Sequence, residues 1–96
     1  MDGRMSHSAV MLLAEERPDL LPQVLATHDI AVKYGNHFSG SSVLGMAPGI
    51  APNLRVLSLR GIVVKFGETK RGHRALYRLA DPPGVERALG ELGLLG

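Results

Sequence analysis

The feature that most limits how this chain can fold is a change of hydrophobic period at one glycine, Gly61. Before it, Leu54 and Leu57 recur at helical spacing, with Val56 beside them. After it, residues 62–66 read IVVKF, β-branched and aromatic in the manner of a strand. Glycine takes the left-handed conformation that ends a helix at little steric cost, so Gly61 is the expected stop. Pro52 suits the first helical position, where its missing N–H is no loss. A helix over residues 52–60 is therefore expected to hand over directly to a strand. The turn GETKRG follows at residues 67–72, with a glycine at each end. Ala75, Tyr77 and Leu79 then alternate with Arg74, Leu76 and Arg78, which predicts a return strand and a β-hairpin.

The same stretch concentrates the positive charge. Of eleven Lys and Arg, seven lie within residues 52–79: Arg55, Arg60, Lys65, Lys70, Arg71, Arg74 and Arg78. With one acid among them, Glu68, the stretch carries +6; the other four cations and eight acids leave −4 elsewhere. The net charge of +2 hides this asymmetry. A basic helix face alone is often merely solvated. A basic loop beside it points to a polyanion partner.

The remaining elements read as helices of one domain, which is all that 96 residues allow. Residues 1–7 are expected to be a flexible start. A first helix over residues 6–17 has Ser6 or Ser8 as cap, Val10, Met11, Leu13 and Ala14 inward, and Pro18 as terminator. A second, over residues 20–34, has Asp19 as cap, Pro22 in its first turn and an apolar face of Leu21, Val24, Leu25, Ile30 and Ala31. Thr27-His28-Asp29 weakens its middle, so a break is open there, and Gly35-Asn36 ends it. Ser39 is placed to cap a short helix over residues 41–47, with Val43, Leu44 and Met46 inward, before a turn at Pro48-Gly49. Asp81 or Gly84 opens a last helix over residues 84–95. There Val85, Ala88, Leu89 and Leu92 face in, and Glu86, Arg87 and Glu91 face out.

Read together, Leu54, Leu57, Gly61, Ile62 and Val63, then Arg74, Tyr77, Arg78 and Leu79, then Asp81, Pro82, Gly84 and Val85 resemble the winged helix-turn-helix family over residues 39–90. The resemblance implies a mainly α fold with a small β-hairpin: a helical bundle plus a two- or three-stranded antiparallel wing. In that family the leucines seat the recognition helix, the glycine ends it, and Tyr and Leu return the second wing strand. The chain departs from the pattern in MAPGIAPN, residues 46–53, where two prolines and a glycine replace a short regular turn. A short recognition helix is the consequence.

Such a fold is expected to bind double-stranded DNA in a sequence-specific way, as a small transcriptional regulator. Helix 52–60 would enter the major groove, with Asn53, Arg55 and Ser58 at base edges and Arg60 nearer a phosphate. Asn53 is equally placed to be a helix cap. The wing, residues 67–74, would meet the backbone through Lys70, Arg71, His73 and Arg74, with Lys65 beside it. Ser41 and Ser42 at a helix start would offer one more phosphate contact, with Ser39 and His37 near them. Arg78 has the plainer expectation of pairing with Asp81 or Glu86, and Tyr77 of sitting in the core. Two alternatives stay open: a protein-interaction module, since fold does not fix function, and an RNA-binding protein. The C-terminal stripe through Leu92, Leu94 and Leu95 is a candidate homodimer surface.

Other chemistries find no support in the residues. There is no cysteine, which excludes disulfides, thiolate metal sites and a Cys nucleophile. His7, His28, His37 and His73 are scattered, without paired metal-ligand spacing, and surface or cap roles are expected for them. No Ser-His-Asp constellation, dinucleotide fingerprint or P-loop occurs. Tyr34, Phe38, Phe66 and Tyr77 are the only aromatics, too few for a single-strand stacking platform. No enzyme activity, cofactor or metal is expected. The first residues hold only a short apolar run, so a soluble cytoplasmic protein is expected, associated with the nucleoid if it binds DNA.

Overall fold

The computed structural model describes residues 3–40, 42–43, 54–69 and 74–95. They form helix α1 (Gly3–Glu16), a 3-10 turn (Pro18–Leu20), helix α2 (Leu21–Tyr34), helix α3 (Leu54–Leu59), strands β1 (Val63–Glu68) and β2 (Ala75–Leu79), and helix α4 (Pro82–Glu91). The described residues are thus mainly helical, with one antiparallel hairpin among them. None of the described helices is long and apolar enough to cross a membrane.

Helix α1 begins earlier than its serines suggested. Ser6 and Ser8 lie inside it and cap nothing; Ser6 is fully buried. Val10 and Leu13 are fully buried, as their spacing predicts. The Arg17 N–H donates to the Leu13 carbonyl at 2.7 Å, and Pro18 prevents a further turn. Asp19 does not cap α2, because its carboxylate accepts two hydrogen bonds from the Arg17 guanidinium at 3.1 and 2.9 Å. That bonding holds the Asp19 carboxyl below its usual range. The depressed value makes the link a neutral-pH contact that fades as pH falls into the acid range. Leu20 takes the capping position with no side-chain bond.

Helix α2 runs unbroken through Thr27-His28-Asp29. The Thr27 hydroxyl donates to the Val24 carbonyl at 2.6 Å, so it satisfies itself within the helix. His28, expected at the surface, is buried, and neither ring nitrogen has a hydrogen-bond partner among the described residues. The Asp29 carboxylate stands 3.8 Å from Nδ1. The reason is the position of α2, which packs against the 3-10 turn, α4 and β2. Its buried arc, from Gln23 through Thr27 and His28 to Ile30, is wider than a one-sided stripe.

After Gly35 the chain is fastened to β2. The Asn36 amide donates to the Leu79 carbonyl at 3.1 Å and accepts from the Leu79 N–H at 2.8 Å, so a side chain imitates a strand pair. Two residues on, Phe38 and Tyr77 exchange backbone bonds of 2.9 and 2.8 Å as an isolated antiparallel bridge. β2 therefore has β1 on one side and these two residues on the other. Ser39 caps the next helical turn as expected: its hydroxyl accepts from the Ser42 N–H at 3.4 Å, and its carbonyl from the Val43 N–H at 3.2 Å. Val43 is buried; Leu44, Met46 and the Pro48-Gly49 turn lie outside the described residues.

Helix α4 packs along α1, and the His7 imidazole and Glu91 carboxylate join their ends. Asp81 occupies the capping position without a side-chain cap bond, and Pro82 fills the first turn. Val85, Ala88 and Leu89 are fully buried. The helix stops at Glu91, short of residue 95. Gly93 takes φ 74°, with Gly93 N–H bonded to Gly90 O at 3.0 Å and Leu94 N–H to Leu89 O at 2.9 Å. Leu92, just before this left-handed stop, and Leu95, after it, pack against the core, while Leu94 is exposed.

Replacing Asn36 with Ala should lower unfolding free energy by about 1–3 kcal/mol, because it leaves part-buried backbone groups of Leu79 unpaired. Urea titration measures the loss, and faster amide exchange at Leu79 than at Leu13 would locate it.

Candidate nucleic-acid interface

Helix α3 is short, and its two faces are sharply unlike. Leu54 and Leu57 are buried and hold it to the core. Arg55 and Leu59, four residues apart, are exposed on one outer ridge, with Ser58 half-buried beside them. Gly61 ends the helix at φ 78°, donating to the Ser58 carbonyl at 3.0 Å, while the Ile62 N–H returns to Leu57 O at 2.9 Å. Leu57 and Ile62, at the two ends of that bond, are both fully buried. β1 starts at the next residue and packs on α3.

The hairpin has one covered and one open face. Val63 pairs with Leu79, and both are buried. Val64 pairs with Arg78, and both are exposed. Between Lys65 and Gly67 the register slips by one residue, so Phe66 is a bulge, 49% exposed. In a regular strand residues three apart lie on opposite faces. The extra residue shifts the parity and brings the Lys65 ammonium to the Glu68 carboxylate at 3.1 Å. β1 thus extends through Gly67 and Glu68, which the sequence assigned to the turn. The loop is closed at its root by the Thr69 N–H bonded to Arg74 O at 2.9 Å and the Arg74 N–H bonded to Thr69 Oγ1 at 3.2 Å.

The expected contact residues fall into three groups. Arg55 and Arg78 are exposed with no ion-pair partner among the described residues; Arg78 meets neither Asp81 nor Glu86. Arg60 donates to the Glu16 carboxylate at 2.8 Å, tying the end of α3 to the end of α1, and Lys65 is held by Glu68. Ser42 is exposed on the turn capped by Ser39, Ser58 is half-buried on α3, and Arg74 is exposed at the root of the loop. Ser41, Asn53, Lys70, Arg71 and His73 lie outside the described residues. Tyr77 is half-buried against the core. Sequence reasoning passed over Leu59, Val64 and Phe66, three exposed apolar side chains flanking the helix-to-strand turn. The signal for Leu59 was its spacing from Arg55; the signal for Val64 was its alternation with Val63. Nothing in the sequence announced the bulge.

Compared with protein-family models, with curated proteins and with solved structures, the chain matches none.

Two glycines separate backbone strain from crowding. Among the described residues, nothing stands within 4 Å of a Cβ built at Gly61 or at Gly90. Gly61→Ala should therefore lower stability by about 1–2 kcal/mol through its left-handed backbone alone. Gly90→Ala, inside α4, should raise it by about 0.5–1 kcal/mol. Paired urea titrations read both signs.

Proposed function

We propose that this chain is a DNA-binding domain of the winged-helix type, acting as a small transcriptional regulator. The observation that carries the reading is the outer ridge of α3. It is a short helix fixed from below by Leu54 and Leu57, with a guanidinium on its open side that has no acid partner among the described residues, ended so that a hairpin follows at once. The order of helices and hairpin, with Phe38 adding a third-strand contact to β2, is compatible with a winged-helix layout. α3 enters the major groove, where Arg55 spans the O6 and N7 of a guanine. The loop through Lys70, Arg71 and His73 rests on the sugar-phosphate backbone, and Arg74 supports it from the root. Arg60 and Lys65 reach phosphates only by exchanging Glu16 and Glu68 for them. Both are exposed pairs of the kind worth under ~1 kcal/mol, so the exchange is feasible.

A second reading has its own observation. Open apolar grooves lie at the C-terminal end, one of about 440 Å³ lined by Met11, Leu12, Ala14, Glu15 and Leu92, the other of about 320 Å³ lined by Pro18, Leu21, Pro22, Leu25 and Leu94. A homodimer through this end is compatible with DNA binding, since paired half-sites need paired readers. Sedimentation of the wild type against Leu12→Ser/Leu94→Ser tests it. A lower mass for the variant supports the dimer, and equal masses remove it.

Electrophoretic titrations on duplex DNA, duplex RNA and single strands test the main reading. Duplex DNA should bind best, and its affinity should fall steeply with salt. Charge reversal of Lys70 and Arg71 together should weaken binding to every sequence and reduce the salt slope by about 2. Arg55→Ala should cost about 1–3 kcal/mol on a preferred site and little on random DNA. If neither variant changes affinity, this surface is not the binding surface; preference for duplex RNA would overturn the DNA reading.

A further inference from the structure

Leu59 is the most exposed large apolar side chain among the described residues, at 78%. It does not serve the core, which α3 reaches through Leu54 and Leu57. It is the last residue of its own helix, and the neighbouring Arg60 is drawn aside to Glu16. What shares the ridge with Leu59 is Arg55, one helical turn before it. We propose that Leu59 is a specificity-determining residue that reads the 5-methyl group of a thymine, next to the guanine read by Arg55. The inference rests on the reading that α3 enters the major groove.

The chemistry leaves little choice of target. A leucine side chain has no hydrogen-bonding group. The base edges in the major groove are donors and acceptors, with one apolar exception, the methyl of thymine. Four residues along a helix rise about 6 Å, and successive base pairs rise about 3.4 Å. The thymine therefore falls within about two base steps of the guanine. The charge of the same stretch favours a nucleic acid over an apolar protein surface: Arg55 on the ridge and Arg78 on β2 are exposed without acid partners among the described residues, and residues 52–79 carry seven of the eleven Lys and Arg. RNA offers no such target, since it lacks the methyl group and its major groove is too deep and narrow for side chains.

The test begins with the full chain and a pool of random duplexes, from which bound sequences are enriched. Each thymine of the best duplex is then replaced by deoxyuridine, which removes only the methyl group, and affinities are read by fluorescence anisotropy. For the wild type, one replacement should weaken binding about fourfold, the effect of exposing one buried methyl, and the others should do little. For Leu59→Ala, with folding checked by thermal melting, that position should lose its sensitivity. Uniform indifference to deoxyuridine in the wild type overturns the role of Leu59 and leaves the major-groove reading standing. So does a sensitivity that survives in Leu59→Ala. A pool from which no duplex is enriched overturns both.

Discussion

Two backbone bonds at the end of α3, Gly61 to Ser58 and Ile62 to Leu57, govern most of what surrounds them. They close only because residue 61 adopts positive φ, which a side chain would oppose. The bonds satisfy carbonyls that a helix end leaves open, and they reverse the chain within one turn. Leu57 on the way in and Ile62 on the way out are therefore buried together, while Arg55 and Leu59 remain outside. A helix one residue longer would start β1 on the opposite parity. Val63 would then leave the core, and Val64 would enter it. The inward and outward faces of both elements thus follow from one turn.

A two-stranded hairpin is marginal in water, and this one is held from its far side. Asn36 and Phe38 take up backbone groups of Leu79 and Tyr77 that β1 does not use. Because Asn36 follows the end of α2, the hairpin is referenced to the central helix as well as to α3. At the other end, the Thr69–Arg74 bonds close the strands just before the basic loop. Bonds of this kind fix where the loop begins.

Much of this was legible because local signals and packing agreed. Leu54, Leu57 and Gly61 specified a short helix and its stop; Val85, Ala88 and Leu89 specified the covered face of α4; Ser39 capped its turn. The misses are places where a second partner outbid the local preference. Asp19 is a good cap by type, but Arg17, two residues before it, offers a charged bidentate partner. His28 reads as polar and exposed until α2 is packed among the other elements, which periodicity along one helix cannot reveal. Leu92 to Leu95 continue the apolar pattern, yet the helix stops before Gly93, with Leu92 and Leu95 against the core and Leu94 exposed. The bulge at Phe66 is set by how β1 meets β2, a relation between strands that neither strand carries by itself.

The charge tally of residues 52–79 also needs division by partner. Arg60 and Lys65 already hold acids in the folded chain, so a phosphate gains from them only the difference between two partners. Arg55 and Arg78 hold none among the described residues. Exposed pairs are weak, so the two groups differ little in their pull on a distant polyanion, where the summed field matters. They differ at contact. There an unpaired guanidinium exchanges water and small ions for the ligand, while a paired one must first release a carboxylate that then faces the phosphates. On the proposed reading, Arg55 would set close-range discrimination on α3, and the glutamates would limit how much indiscriminate attraction the surrounding cations supply.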